Sequence, residues 1–554
     1  MDSRDYDVIV IGSGAGGLAA ALPLAQSGLT VLVLEQHYLP GGWCHSFPLG
    51  GYRFSPGVHY VGELQPGGRT REIYEGLGVA NDLTFLELNP DAIDHVRVGD
   101  ERFDIPRGRD AFGERLKARF PAERRGIENY LRAVDSIGHE LNTQMDARTW
   151  RDRLTLPFRA SNVARWALFS AASMIRAHTR DPLLTAILSA QAGNHGLAPS
   201  MVPAVVHASV TRHYFDGGYY PRGGGSAIPL AFLRALKRAN AEVRLETAVS
   251  RILIERGRAI GVVLADGSEI RARQVISNAD PHVTYKTLVG ETHLSSALRR
   301  KLSANRYSTS AVSLFLATDL DLSALGLDSG NYWSYAHADL DSLYRRGLQD
   351  WTATPASIPW FFLTATTLKD RAKERIGRHT IEAFAFVDYE PFQRWAQSHF
   401  GARPEDYAAL KTHLRALMID AAATIVPGLR DHVLFADVGT PLTNAHYIGA
   451  TRGNLYGTEK RLSQVGPWAH RIRTEIPGLY LCGSSTLSHG ILGATLSGLA
   501  VAADVLQCEM SELLTARGQT LRLYPADDIS AWPDTLRRHV RPKRSTGRPD
   551  QLRA

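Results

Sequence analysis

The most constraining feature of the chain stands at its start. Asp7-Val-Ile-Val-Ile-Gly12-Ser-Gly14-Ala-Gly16-Gly17 is an apolar strand running into a glycine turn, and Leu18-Ala-Ala-Ala continues it as an alanine-rich helix. Gly12 permits the tight turn, Gly14 lets the backbone approach a pyrophosphate, and Gly17 allows close helix–strand packing, so that phosphates sit on the helix N-terminus. A second strand, Thr30-Val-Leu-Val-Leu-Glu35, ends in an acid 18 positions after Gly17. A carboxylate there accepts hydrogen bonds from a ribose diol. The two features together predict a Rossmann-type parallel α/β sheet that binds a dinucleotide.

The rest of the chain is too long for that sheet alone. At 554 residues it exceeds what one hydrophobic core supports, so two domains are expected. With 44% apolar and 21% charged residues, the composition is that of an ordinary globular protein. Cys44, Cys482 and Cys508 are far apart and show neither CxxC nor Cys/His ligand spacing, so no disulfide framework and no metal site are expected. The first apolar run is already the opening strand, which leaves no signal peptide before it. Trp166 to Ile175, the longest weakly polar stretch, is half the roughly 20 residues that span a bilayer. A cytoplasmic protein without a transmembrane helix is the expectation.

The net charge of +7 is unevenly placed. Seven arginines between Arg148 and Arg180 interleave with Trp150, Leu154, Leu156, Phe158, Trp166, Leu168, Phe169 and Ile175. That basic amphipathic composition suits peripheral contact with an anionic membrane surface, although arginine also covers apolar surface in proteins that never meet lipid. A second basic run follows Trp532, with Arg537, Arg538, Arg541, Lys543, Arg544, Arg548 and Arg553 against Asp534 and Asp550. No aromatic platform or recognition motif accompanies the charge of that tail, so nucleic acid is not the expected partner.

FAD rather than NAD is indicated by resemblance. Gln36-His-Tyr-Leu-Pro-Gly41-Gly42-Trp43-Cys44 resembles the extra loop of flavoproteins related to glutathione reductase. Ile476-Pro-Gly-Leu-Tyr-Leu-Cys-Gly483-Ser-Ser resembles their closing strand and turn, before a helix expected from about Ala494 to Leu506 whose dipole would point at the flavin. Such proteins commonly carry an acid after that glycine, where this chain has Ser484. Gly217-Gly-Tyr-Tyr-Pro-Arg-Gly223-Gly-Gly-Ser226 leads into a helix with Ser226 as the expected N-cap. Glu242 to Val249 and Ser250 to Glu255 read as strands, Ala259 to Gly267 as a hairpin arm with an Asp-Gly turn, and Gln274 to Asp280 as a further strand. In FAD proteins of this architecture the residue at Val249 meets the adenine through its backbone.

Gly41-Gly-Trp-Cys-His-Ser-Phe47, Ser55-Pro-Gly-Val-His-Tyr-Val-Gly62, His213 to Gly224 and Thr440-Pro-Leu-Thr-Asn444 are similar to motifs of the phytoene desaturase superfamily, and among its members most similar to retinol saturases and carotenoid isomerases. The similarity runs from about Asp5 to Leu506, with Gly453 to Gly457 and Gly490 to Ala494 as further landmarks. It implies a glutathione-reductase-like two-domain FAD fold, an α/β Rossmann-type sheet with a mixed α+β substrate domain. The FAD-binding domain would comprise 1–75, 205–290 and 465–508, and the substrate domain 76–204 and 291–464. A basic tail, 509–554, would follow. The resemblance assigns to the cofactor Gly12, Gly14, Ala15, Gly17, Glu35, Gln36, Gly42, Trp43, Val249, Gly483, Ser484, Gly493 and Ala494.

No nucleophile elbow, HExxH or Walker loop occurs, so the chemistry falls to the flavin. The resemblance implies an oxidoreductase acting on C=C or C–C bonds of a long polyene or isoprenoid lipid by hydride transfer with flavin N5. Such a substrate would be recognised mostly by buried apolar area in a tunnel, at about 25 cal/mol per Å². A redox-neutral carotenoid isomerase and a lipid-binding escort protein of the same fold are the alternatives. An amine oxidase is disfavoured, since Trp43 stands where arginine is usual. The electron donor or acceptor is open. Candidates for proton donation or positioning are His59, Tyr60, Tyr447 and His489, with His45, Tyr220 and Tyr456 beside them. Cys44 reads as a buried side chain, not a covalent flavin anchor.

Two further patterns concern the substrate domain. Ile127, Tyr130, Leu131 and Val134 recur at helical spacing, and Ala311 to Ala317 and Thr380 to Val387 read as strands ahead of a helix from about Tyr407 to Ile425.

Overall fold

Alternation along the first two strands decides the architecture. In the computed structural model, which describes residues 5–145, 160–347, 357–374, 377–538 and 540, Tyr6–Ile11 and Val31–Leu34 pair in parallel. Val8, Val10, Val31 and Val33 enter one hydrophobic core, and Ile9, Ile11, Leu32 and Leu34 enter another on the opposite face. A strand buried on both faces must be apolar at every position, which is why both read as unbroken apolar runs.

Around this pair a seven-stranded sheet forms. Leu479–Leu481, the second half of Glu269–Ser277, Tyr6–Ile11, Val31–Leu34 and Glu242–Arg244 are successive parallel neighbours. The first half of Glu269–Ser277 pairs antiparallel with Arg258–Leu264, which pairs antiparallel with Val249–Glu255. The helices Ala15–Gln26 and Gly490–Leu506 lie against each other on one face, in the same core as Val8 and Val10. Their approach requires glycine: a Cβ on Gly498 would fall 2.1 Å from the Gly16 carbonyl oxygen.

A second seven-stranded sheet, largely antiparallel, carries the other half of the molecule. Its strands run Val433–Gly439, Ser310–Thr318, His379–Val387, Trp360–Ala365, Asn331–Tyr335, Asp94–Val98 and Glu101–Ile105 in spatial order. Its one parallel pair among the described residues joins Asn331–Tyr335 to Asp94–Val98. The helix Glu405–Ala423 packs Leu414, Leu417 and Met418 on one face. On the other face Trp333, Trp360 and Phe362 meet a helical layer that includes Arg124–Met145, whose Ile127, Tyr130, Leu131 and Val134 are all buried as their spacing predicts.

Two local expectations are corrected. Ser226 stands at the N-cap position but its side chain makes no capping hydrogen bond: its backbone is already helical and its hydroxyl accepts from Ser46 N–H at 2.6 Å, which ties two remote loops together. The closing helix begins at Gly490, one turn before Ala494, because His489 is extended and the chain turns helical directly after it. Of the basic amphipathic segment, Trp150, Leu154, Leu156 and Phe158 lie outside the described residues, as does the tail from Arg541 onward. Within the described part Trp166 is buried beneath the Arg165 guanidinium, whereas Leu168 and Phe169 are 70% and 52% exposed side by side. No helix among the described residues is long and apolar enough to cross a membrane.

Candidate functional site

The cofactor crevice is built from backbone and one carboxylate. Gly14 precedes the opening helix with no side-chain cap, so first-turn N–H groups are free to face an anion. Glu35 is buried, and its Oε2 accepts from the N–H and hydroxyl of Ser13 at 2.9 and 2.6 Å while Oε1 accepts from His37 N–H at 2.9 Å. The carboxylate is thereby fixed beside the glycine turn, with acceptor capacity left for a diol. Gly41 and Gly42 both hold positive φ, and a Cβ on Gly42 would stand 3.4 Å from Gly14 Cα. Gly483 closes the other side: a Cβ on Gly16 would stand 2.9 Å from its N–H nitrogen. Backbone surfaces free of side chains thus converge where a diphosphate needs them, and the residues present fit a dinucleotide.

The other assigned positions differ in exposure. Ala15, Trp43, Ser484 and Ala494 are half-buried, Gly17 and Gly493 are buried, Gln36 is exposed, and Val249 begins the antiparallel extension opposite Leu264. Asn278, which the sequence reading passed over, sits between the glycine turns: its Oδ1 accepts from the Cys482 thiol at 3.5 Å, and a Cβ on Gly14 would strike its Nδ2. Burial pushes the Cys44 thiol up to about 12, which makes it a poor nucleophile.

The four catalytic candidates divide. Tyr60 and His489 are buried and meet through Asn194, with half-buried His59 next to Tyr60 in the chain, whereas Tyr447 packs its ring 5.3 Å from His37, on the Glu35 side. His45 gives Nδ1 to the Gly42 carbonyl and Tyr220 lies beside Lys373. Neither belongs to the first group's hydrogen bonds. Tyr60 stacks on Tyr214 with centroids 4.1 Å apart. Its hydroxyl accepts from Asn194 Nδ2 at 2.8 Å and stands 3.4 Å from Asp94 Oδ2. His489 Nε2 meets the Asn194 carbonyl at 2.9 Å, and Tyr456 donates to the adjoining Gly193 carbonyl. Burial pushes the His489 imidazole down to about 3, so it is neutral there. His59 stacks on Phe384 and meets the tilted Phe362 ring, with Nδ1 3.5 Å from Glu382 Oε2.

Ionisable groups that the sequence did not single out surround this region. Asp94 and Lys369 are fully buried, and Lys369 donates to the His59 carbonyl at 2.6 Å and to Asn331 Oδ1. Lys460, 4% exposed, donates to the Ser484 carbonyl and meets no carboxylate within ion-pair distance among the described residues. Burial pushes both lysines down to about 7. A cavity lined by Ile105, Phe112, Tyr130, Gln191, Thr211 and Tyr214 lies behind the Tyr60–Tyr214 stack.

Parallel sheet, glycine crevice and the acid fixed beside it are features of a nucleotide-cofactor enzyme. Residues 15–374 match the model of the flavin containing amine oxidoreductases. The chain is 31% identical over 529 residues to the all-trans-retinol 13,14-reductase of Danio rerio, covering 91% of this chain and 86% of that one. It is 26% identical over 530 residues to the chloroplastic prolycopene isomerase of Daucus carota, covering 93% and 83%. Putrescine oxidase bound to putrescine superposes with a TM-score of 0.61 at 15% identity, over 91% of this chain and 99% of that one. The chain belongs to the flavin containing amine oxidoreductase family and is a flavin-dependent oxidoreductase.

Proposed function

We propose that the chain is an FAD-dependent oxidoreductase that saturates a carbon–carbon double bond in a long conjugated isoprenoid or polyene lipid. The observation that supports this reading best is similarity along almost the whole chain to an all-trans-retinol 13,14-reductase, in a protein that keeps the buried Glu35 fixed by Ser13. FAD, rather than another flavin, is favoured because Glu35 and the glycine turn suit an adenosine ribose and a diphosphate together. When bound, the reduced flavin supplies a hydride equivalent. The chain's own residues exclude water, hold the alkene against the crevice and deliver a proton. His59 and Tyr60 are the groups suited to the last task; Tyr447, on the ribose side, and His489, whose imidazole burial keeps neutral, are not among them. Similarity to a prolycopene isomerase favours redox-neutral isomerisation as the second reading.

The substrate is an apolar lipid drawn from an anionic membrane surface, with Leu168 and Phe169 entering the interface beside Arg165 and Arg176. The enzyme would then be cytoplasmic and peripheral to the membrane. A redox partner of unspecified class reduces the flavin.

The test begins with the absorption spectrum of the purified protein, reduced anaerobically and mixed with retinoids, carotenoids and unsaturated fatty acids. Reoxidation by one lipid, with loss of one double bond, is the expected outcome. Geometric change without reoxidation selects the isomerase. A protein that stays colourless after incubation with FAD is an escort protein, and the enzymatic reading fails.

A further inference from the structure

Lys460 is a buried cation without an anion. It is 4% exposed, its amine donates to the Ser484 carbonyl, and no carboxylate among the described residues comes within ion-pair distance. The adjoining Glu459 is turned to Arg461 instead. Lys460 acts on His489 and His470, the latter also facing Lys301, and burial keeps both imidazoles neutral. Tyr307, bridged to Thr458, is held above its ordinary range by burial and by Asp280, which itself accepts from the N–H and hydroxyl of Thr451. A buried ammonium left alone in this way destabilises the chain that carries it.

The carbonyl that holds Lys460 belongs to the turn that closes the cofactor crevice. Thr458 N–H donates to Ser485 Oγ at 3.0 Å, and a Cβ on Gly457 would stand 2.6 Å from Ser484 Oγ, so the segment from Gly457 to Lys460 packs directly on that turn. One residue before Ser484, a Cβ on Gly483 would stand 2.9 Å from Asn278 Oδ1. The same amide meets the first glycine turn: a Cβ on Gly16 would stand 2.6 Å from its Oδ1, and one on Gly14 2.5 Å from its Nδ2. Between the amine and the N-terminus of the opening helix there are thus the Gly483–Ser484 backbone and one side chain. A charge buried in such a wall acts across it without contact, because little water is present to screen it.

We propose that Lys460 is the counter-charge of the cofactor diphosphate and stands as an ammonium in the loaded protein. This rests on the reading of the cofactor as FAD. The helix N-terminus offers the diphosphate N–H donors and partial charge. Glu35, tied to Ser13 and His37, adds a negative charge on the ribose side. Lys460 supplies the whole positive charge that the crevice otherwise lacks, and the diphosphate gives the amine its anion. In the absence of cofactor, burial pushes the Lys460 amine down to about 7. The diphosphate returns it toward the ordinary lysine range, so that binding above pH 7 takes up a proton from solvent.

The test uses the full chain, stripped of flavin and titrated with oxidised FAD, whose negative charge at neutral pH lies on the diphosphate. Calorimetry at pH 8 in buffers of different ionisation enthalpy should count about one proton taken up per FAD, and none in Lys460→Met. Kd should rise about tenfold per pH unit above pH 7 in the wild-type chain and stay level in the variant. At pH 7 Lys460→Met should bind FAD at least ~10-fold more weakly although its apoprotein melts no lower, a split that a merely structural lysine does not produce. The wild-type proton count requires no variant to fold. FAD binding without proton uptake at pH 8, or a Lys460→Met affinity within about twofold of wild type, overturns the proposal. A chain that binds no FAD at any pH fails differently, since the reading of the cofactor then falls first.

Discussion

Ser13 donates both its backbone N–H and its hydroxyl to the same oxygen of Glu35, at 2.9 and 2.6 Å. The first glycine turn and the end of the second strand are thereby joined before any cofactor binds. A carboxylate fixed in this way meets a ribose without reorganising, which is the source of affinity in a pre-organised site.

Glu35→Ala removes the acceptor and leaves the N–H groups of Ser13 and His37 unpaired. The expected cost to FAD binding is about 2 kcal/mol, roughly thirtyfold in Kd. Titration of the apoprotein by flavin fluorescence measures it. Unchanged affinity would place the adenosine elsewhere.

Gly498→Ala tests the helix contact beneath the crevice. Its methyl group would lie 2.1 Å from the Gly16 carbonyl oxygen and 2.9 Å from the Ala20 nitrogen, both backbone atoms that cannot swing aside. A loss of about 3 kcal/mol is expected, read as a lower midpoint in chemical denaturation of the apoprotein.

Lys460 makes stability depend on pH. Its pKa is about 7 when folded and returns to the ordinary lysine range on unfolding. Between these limits the unfolded chain binds more protons, so stability rises with pH from about 7 toward 10. Below about pH 7 both states carry the charge and the cost of burying it is complete. Lys460→Met therefore stabilises most at pH 6 and least at pH 9. Thermal melts of the two proteins across that range should converge as pH rises, and divergence would contradict a buried, uncompensated amine.

Leu168 and Phe169 carry the membrane proposal. Replacing both with serine should weaken partition onto phosphatidylserine vesicles by about 3 kcal/mol, roughly a hundredfold. Co-sedimentation reports the change, and binding indifferent to the double substitution would remove this surface from consideration.

Local signals made much of the architecture legible. The strand–turn–helix at Asp7–Ala21 and the acid at Glu35 are contiguous or fixed in spacing, so their geometry follows from backbone rules alone. Period also spoke clearly where one face is buried: Ile127, Tyr130, Leu131 and Val134 fall on the covered side of their helix. Ser226 misled because capping is a competition. Its residue type suits a helix start, but a remote hydrogen bond to Ser46 took the hydroxyl. His489 shifted the closing helix for a similar reason, since glycine at 490 gives no propensity signal for a first turn.

The sequence by itself determined the opening strand pair and its glycine turn, because these lie within a few dozen residues, and resemblance at both ends of the chain pointed to the flavin class. Only the tertiary structure decided which titratable groups meet. Asp94, Gln191, Asn331 and Lys369 are scattered over some two hundred and seventy residues and belong to no motif. They converge because the second sheet sets Asp94–Val98 beside Asn331–Tyr335 and because burial denies each group water, leaving them one another as partners.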